Sequence, residues 1–403
     1  MPFAFADDLA LTVCRSRSMQ RIINTLDQHL QSIHLTLKPK KCKTLSICSG
    51  YAKDMSFSIG NHPMDNIITS PFKFLGGYIS ASGSSGPVSD ILKETIIGSN
   101  TQHGIIMNVD ASPVRGEYKC EMYRVYIQGA IRYLLTVHDV SRTQLHEISH
   151  SVTQYLKKWA NMKKSSDPGI IYHSQGLGLS SVQQLYMQQH ANVMATVLTS
   201  GDDSVRNALD AKVERESAFT RKSTGTMECF TIAEQSLTTL RDDDTHDQAN
   251  SQQTKKKLCQ AIKARLQKDN DSKIEEHSST LKVQGRWTEL VEIEQTDIRW
   301  RSSLYNAPRG VFEFALNGMT NWLPTRDNLV RWGKLLSTKC PLCQGHQTLR
   351  HVLNACPVAL TARYTWRHNS VLKELVTTLQ GWYSLSEPPV TIRIVIILSK
   401  GSA

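Results

Sequence analysis

The stretch CPLCQGHQTLRHVLNACP, residues 340–357, constrains this chain more than any other. Two residues separate Cys340 from Cys343, seven separate Cys343 from His351, and four separate His351 from Cys356. Three thiolates and one imidazole make a closed tetrahedral set, the donor set of a structural Zn²⁺ site, with no open position for chemistry. His346 is a rival fourth ligand. The competing reading is ordinary buried cysteines beside surface histidines. Against it, the chain has only 9 cysteines in 403 residues, and three of them fall in this short stretch. That total is odd and the spacing uneven, which reads as a reducing compartment where clustered thiols serve metal rather than disulfides.

A second informative stretch lies near the start. In FAFADDLALTV, residues 3–13, Asp7 and Asp8 sit between two apolar runs. Phe3, Phe5, Leu9, Leu11 and Val13 are β-prone, so the stretch reads as a tight hairpin with the acids at its turn. Two adjacent like charges repel unless a cation lies near, and carboxylate oxygens are what Mg²⁺ takes. A solvated turn explains the same residues, because Asp is common in turns. Charge adds a hint: Lys+Arg 47 against Asp+Glu 36 leaves +11, which suits a nucleic-acid partner. No signal peptide is read ahead of the first apolar stretch, and no apolar run is long enough to span a bilayer. The last such run, VTIRIVIILS at 390–399, is short and carries Arg393.

Between these stretches the pattern is mainly helical. Met19, Ile22, Ile23, Leu26, Leu30 and Ile33 recur at helical steps, and the helix is expected to end near Leu37, before Pro39. Lys38, Lys40, Lys41 and Lys43 follow in LTLKPKKCKTLSI, where TLSI reads as a strand. FKFLGGYIS, residues 72–80, reads as an apolar strand interrupted by Gly76 and Gly77, the mark of a bulge or a close backbone approach. Helical patterns dominate residues 88–200. RDDDTHDQANSQQTKKK, residues 241–257, is nearly free of apolar residues and reads as a linker.

Taken in order, these stretches resemble one family. FAFADDLAL is similar to the metal-binding turn of reverse transcriptases, and the helix, LKPKKCKTLSI and FKFLGGYIS follow in that family's order. LTVHDVSRTQLHEISHSVTQYLKKWANM, HSQGLGLSSVQQLYMQQH, FALNGMTNWLPTRDNLVRWGK, the Cys/His stretch and RHNSVLKEL resemble one subgroup. These are the non-LTR retrotransposons with a CCHC zinc knuckle and a restriction-like endonuclease. The resemblance covers nearly the whole chain apart from 201–282.

The resemblance implies an RNA-directed DNA polymerase that extends a DNA primer on an RNA template by two-metal-ion nucleotidyl transfer. It implies that Asp7 and Asp8 are one strand's Mg²⁺ ligands. Lys41 would lie by the incoming triphosphate, and Phe74, Leu75 and Gly76 would form the primer grip. The family often has Asn where this chain has Lys38. Candidate phosphate contacts are Lys157, Lys158, Lys163 and Lys164, with Trp159 among them, and Arg326, Arg331 and Lys334 before the knuckle. Each of these basic groups also fits a solvated helix face or loop. The family's other metal-binding Asp and its fingers would lie upstream of Met1, so the isolated chain is expected not to polymerise DNA. The alternative is a non-catalytic nucleic-acid-binding thumb with a zinc knuckle. The expected location is intracellular, nuclear or cytoplasmic, and the nuclear expectation follows from the family's need to reach chromosomal DNA.

The expected fold is α+β, mostly α. A partial palm is expected at 1–85 and a helical thumb and post-thumb region at 86–200. A polar linker would follow at 201–285, a helical region at 286–335 and the zinc knuckle at 336–360. The truncated start of an endonuclease region would occupy 361–403.

Overall fold

A computed structural model describes residues 2–5, 8–68, 71–74, 77–81, 86–99, 101, 103–138, 140–217, 226–243, 251–284, 287 and 307–384. Two compact units result, Met1–Thr320 and Asn321–Ala403. The described residues are mostly helical with a few small sheets.

The first unit opens with an antiparallel hairpin, β1 (Pro2–Phe5) and β2 (Asp8–Leu11), closed by the pair Phe5–Asp8. Helix α1 (Ser16–Ser32) follows, and its chain turns away at His34, which takes a left-handed conformation at φ 60°. Lys41 ends a 3₁₀ turn, Pro39–Lys41. Short strands come next: β3 (Lys43–Thr44), β4 (Ile47–Cys48), β5 (Tyr51–Ala52), β6 (Phe57–Ile59) and β7 (His62–Asn66). Strand β7 pairs antiparallel with β6 and parallel with β3. Ile23 of α1 packs with Phe57 and Ile59 in a small core of its own. Gln20 fixes that packing, because its amide donates to Ser58 O (2.7 Å) and its carbonyl accepts from Ser58 N (3.1 Å).

FKFLGGYIS is a hairpin rather than one interrupted strand. Strands β8 (Phe72–Phe74) and β9 (Gly77–Ile79) pair antiparallel, with Phe74 opposite Gly77. Gly77 therefore opens the returning strand of a hairpin, which alternation of apolar residues alone does not distinguish from a bulge.

Helices α2 (Gly86–Ile96), α3 (Ile105–Ala111), α4 (Gly116–Met122), α5 (Gln128–Val137) and α6 (Arg142–Trp159) begin the main body. A π turn at Tyr123–Ile127 joins α4 to α5 without a break. Gly116 is required where it stands: a Cβ there would strike the Trp159 backbone. Ser141 and Ser181 cap α6 and, beyond the short α7 (Gly169–Tyr172), α8 (Val182–Leu198). Helix α8 is central and lies against α5, α6 and three later helices. Leu92, Ile131, Leu135, Leu156, Leu185 and Tyr186 are among the buried side chains of one continuous core.

Residues 201–285, read from sequence as a polar linker, instead carry three helices: α9 (Asp203–Ser217), α10 (Thr226–Asp243) and α11 (Ser251–Thr280). Helices α10 and α11 pack on α8. The reason is a narrow apolar stripe. Cys229, Ile232 and Ala233 on α10 and Leu258, Ile262 and Leu266 on α11 join the main core. Residues 244–250, the middle of the polar run, lie outside the described residues.

The unit division falls inside 286–335, where one helical region was expected. Helix α12 (Arg309–Met319) belongs to the first unit and α13 (Arg326–Arg331) to the second, while 288–306 lie outside the described residues. Past the Cys/His stretch, α14 (Pro357–Ser384) fills much of 361–403, and 385–403 are not described.

Candidate metal centre

Cys340, Cys343, His351 and Cys356 come together in the second unit, with one ligand atom from each lying within 4.8 Å of every other. Four ligands around one tetrahedral zinc, with Zn–S of about 2.3 Å, sit roughly 3.8 Å apart, so the set matches a closed zinc-type site in chemistry and in spacing. Cys340 and Cys356 are buried. Cys343 Sγ lies 3.3 Å from His351 Nε2, which makes Nε2 the imidazole atom facing the centre. This group can hold a metal such as zinc.

Local backbone geometry builds the set. Cys340 N donates to Gly345 O (2.7 Å) and Gln344 N to Cys340 O (2.9 Å), closing a tight turn around the first two thiols. Gln344 stands in the left-handed region at φ 62°. Thr348 Oγ1 accepts from His351 N (3.2 Å) and starts the next turn. That turn, His351–Ala355, is a π turn, and Cys356 follows it with extended backbone. In an α-helix, residues five apart point about 140° away from each other. A turn bonded five residues ahead is wider and returns Cys356 toward the side of His351.

Electrostatics favour the ligating form of Cys340. The N–H groups of Leu342 and Cys343, with the His351 and Cys343 side chains, outweigh burial and bring its thiol down to about 6. The Gly345 N–H pulls Cys343 the same way, but burial and the neighbouring Cys356 and Cys340 sulfurs leave its thiol raised. One thiolate forms readily and resists a second beside it, the behaviour that a divalent cation relieves.

The rival ligand is resolved. His346 is engaged elsewhere, with Nε2 at 2.8 Å from Asp327 Oδ1. Sequence reasoning missed Gln347, which braces the centre, and Asn328, which ties together the segment before it. Gln347 donates its amide toward Cys340 Sγ (3.9 Å) and accepts from Arg326 N (3.1 Å), while its carbonyl accepts from Asp327 N (3.3 Å). Asn328 is wholly buried, donating to Asn321 O (2.8 Å) and Leu323 O (2.7 Å) and accepting from Arg331 Nη2 (2.6 Å). Neither residue type announces itself by spacing, because a bracing amide needs only one well-placed acceptor or donor.

The other predicted residues are placed as follows. Asp7, Leu75 and Gly76 lie outside the described residues; Asp8 opens β2, and Phe74 ends β8. Lys41 is exposed. Lys157 does not fit a phosphate contact. Its ammonium is buried and donates to Lys164 O (3.0 Å) and Ser166 O (2.5 Å), and burial lowers its pKa against the opposing pull of Asp167. Lys157 falls on the inner face of α6, so its charge serves the loop that follows. Trp159 is core as well, with Nε1 donating to Asp110 Oδ1 (2.9 Å), and Lys158 pairs with Asp110 Oδ2 (2.7 Å). Lys163, Lys164, Arg331 and Lys334 are exposed, and Arg326 is half-buried.

No helix among the described residues is long and apolar enough to cross a membrane. A scan against models of protein families finds none that matches the chain, and no curated protein is significantly similar to it.

Proposed function

We propose that the chain is part of a non-LTR retrotransposon reverse transcriptase and that its Cys₃His cluster holds a structural Zn²⁺ ion. The cluster carries the reading, because it falls at the end of an ordered series. An acid-bearing hairpin comes first, then a helix, a lysine-bearing turn, a glycine hairpin and a helical body. In this reading the segment 1–85 is palm, with Asp7 and Asp8 as Mg²⁺ ligands and Lys41 beside the triphosphate. Phe74, Leu75 and Gly76 form the primer grip, and 86–200 is thumb. Two-metal transfer needs carboxylates from more than one strand, so Asp7 and Asp8 supply only part of such a site.

A second reading, a nucleic-acid clamp without catalysis, draws on the exposed Lys163, Lys164, Arg331 and Lys334. One experiment separates them. Primer extension on an RNA template in Mg²⁺ is measured for the full-length gene product and for its Asp7→Asn/Asp8→Asn variant. Template-dependent product that the variant loses supports the polymerase. Salt-sensitive binding of primer–template, equal in both proteins and with no extension, supports the clamp.

A further inference from the structure

Helix α14 runs for 28 residues, yet no side chain between 357 and 381 is buried. Leu360 (48%), Tyr364 (70%), Val371 (59%) and Leu375 (52%) stay exposed. Helices of this length draw most of their stability from burying an apolar face, and a continuous apolar stripe left in water marks a contact surface. Leu360, Tyr364 and His368 repeat as Val371, Leu375 and Leu379 eleven residues on. Eleven residues make three turns with almost no drift around the axis, so all six share one face over about 29 Å of nearly straight helix.

We infer that this face pairs with the same face of a second copy of the chain, antiparallel. The repeat is self-complementary in that direction. With a twofold axis between Asn369 and Ser370, Leu360 lies level with Leu379 of the other copy, Tyr364 with Leu375, and His368 with Val371. Such an isologous contact puts every large residue against an apolar one. Charge agrees. Among the described residues, Arg367 hydrogen-bonds neutral oxygens, Asn354 Oδ1 (2.8 Å) and Leu353 O (2.7 Å), and Glu374 is exposed. In the antiparallel pair, Arg367 and Glu374 of the two copies come within about one half-turn of each other at the seam's edge, close enough for long side chains to meet. In a parallel pair each seam residue would instead meet its own copy, His368 against His368 and Tyr364 against Tyr364. Trp366 and Val376 lie off the stripe and stay in water.

The test uses the full chain. Sedimentation at micromolar concentration should give twice the chain mass of 45.3 kDa. Val371→Asp/Leu375→Asp should give the monomer, with helicity and bound metal unchanged. For orientation, Tyr364→Cys and Leu375→Cys chains are mixed and oxidised in a background lacking the exposed Cys14 and Cys48. A cross-link between the two variants is the expected product. A monomeric wild type, a dimer that survives the double Asp variant, or Tyr364→Cys cross-linking to itself would overturn the pairing.

Discussion

Between residues 86 and 284 the buried side chains are mostly aliphatic and aromatic: Leu92, Ile131, Leu156, Leu185 and their neighbours. Between 321 and 384 the buried described residues are Thr325, Asn328, Cys340 and Cys356. The first region is held by burial of apolar surface, worth about 25 cal/mol per Å². The second has no such core. Its interior is two thiols, a capping hydroxyl and a carboxamide, joined by hydrogen bonds and by the stacked indoles of Trp322 and Trp332 at 5.3 Å. Small segments without a core fold when a metal or cross-links take its place. The contrast teaches that one chain uses two kinds of interior, and that each fails under a different insult.

The sharpest way to break this contrast is to remove a ligand. Cys343→Ser should lower bound zinc well below one ion per chain and loosen residues 336–360 first, read by metal analysis and hydrogen exchange. Protection across α6 and α8 should not change. Equal zinc in variant and wild type would remove the basis for the distinction.

Damage to the other interior should show the converse. Leu156→Ala, at a fully buried site, should cost about 2–5 kcal/mol in denaturant unfolding of the body and leave metal content untouched. Lys157→Ala leaves the Lys164 and Ser166 carbonyls without their donor and should cost about 1–3 kcal/mol. Replacing Lys163 and Lys164 together should change stability by less than about 0.5 kcal/mol, as expected of exposed sites.

A gentler probe is acid. Burial favours the protonated form of Asp110, but the Lys158 ammonium and the Trp159 N–H outweigh it and hold its carboxyl below the usual 3.8. The native state therefore binds this proton less readily than the unfolded chain. The contribution is fully present above 3.8 and fades as pH falls through the lower native value. Asp110→Asn should remove this part of the acid sensitivity, about 1 kcal/mol or less, seen as a flatter melting profile below pH 4. The smallest effect is expected of His346→Ala: zinc stays bound, because His346 faces Asp327 rather than the cluster.

The sequence exposes these regions unequally, for physical reasons. The four metal ligands are legible because spacing and donor type together are rare, and the structure brings the same four together. Helix α1 and the helices of 86–200 are legible through apolar periodicity. Helices α10 and α11 are not, because stripes as narrow as Leu258, Ile262 and Leu266 vanish in a polar average. Lys157 shows the matching error: a lysine in a basic run looks solvated, and only the loop folding over it reveals two carbonyls waiting. Gln347 and Asn328 leave no mark in composition or period, since their roles arise from tertiary contacts alone.

The measurement that tests the account most directly is hydrogen exchange of the full chain, zinc-loaded and after chelation. The account predicts that residues 321–356 lose protection when metal is removed, while α6, α8 and α11 keep theirs. Unchanged protection across 338–356 after complete metal removal would contradict it.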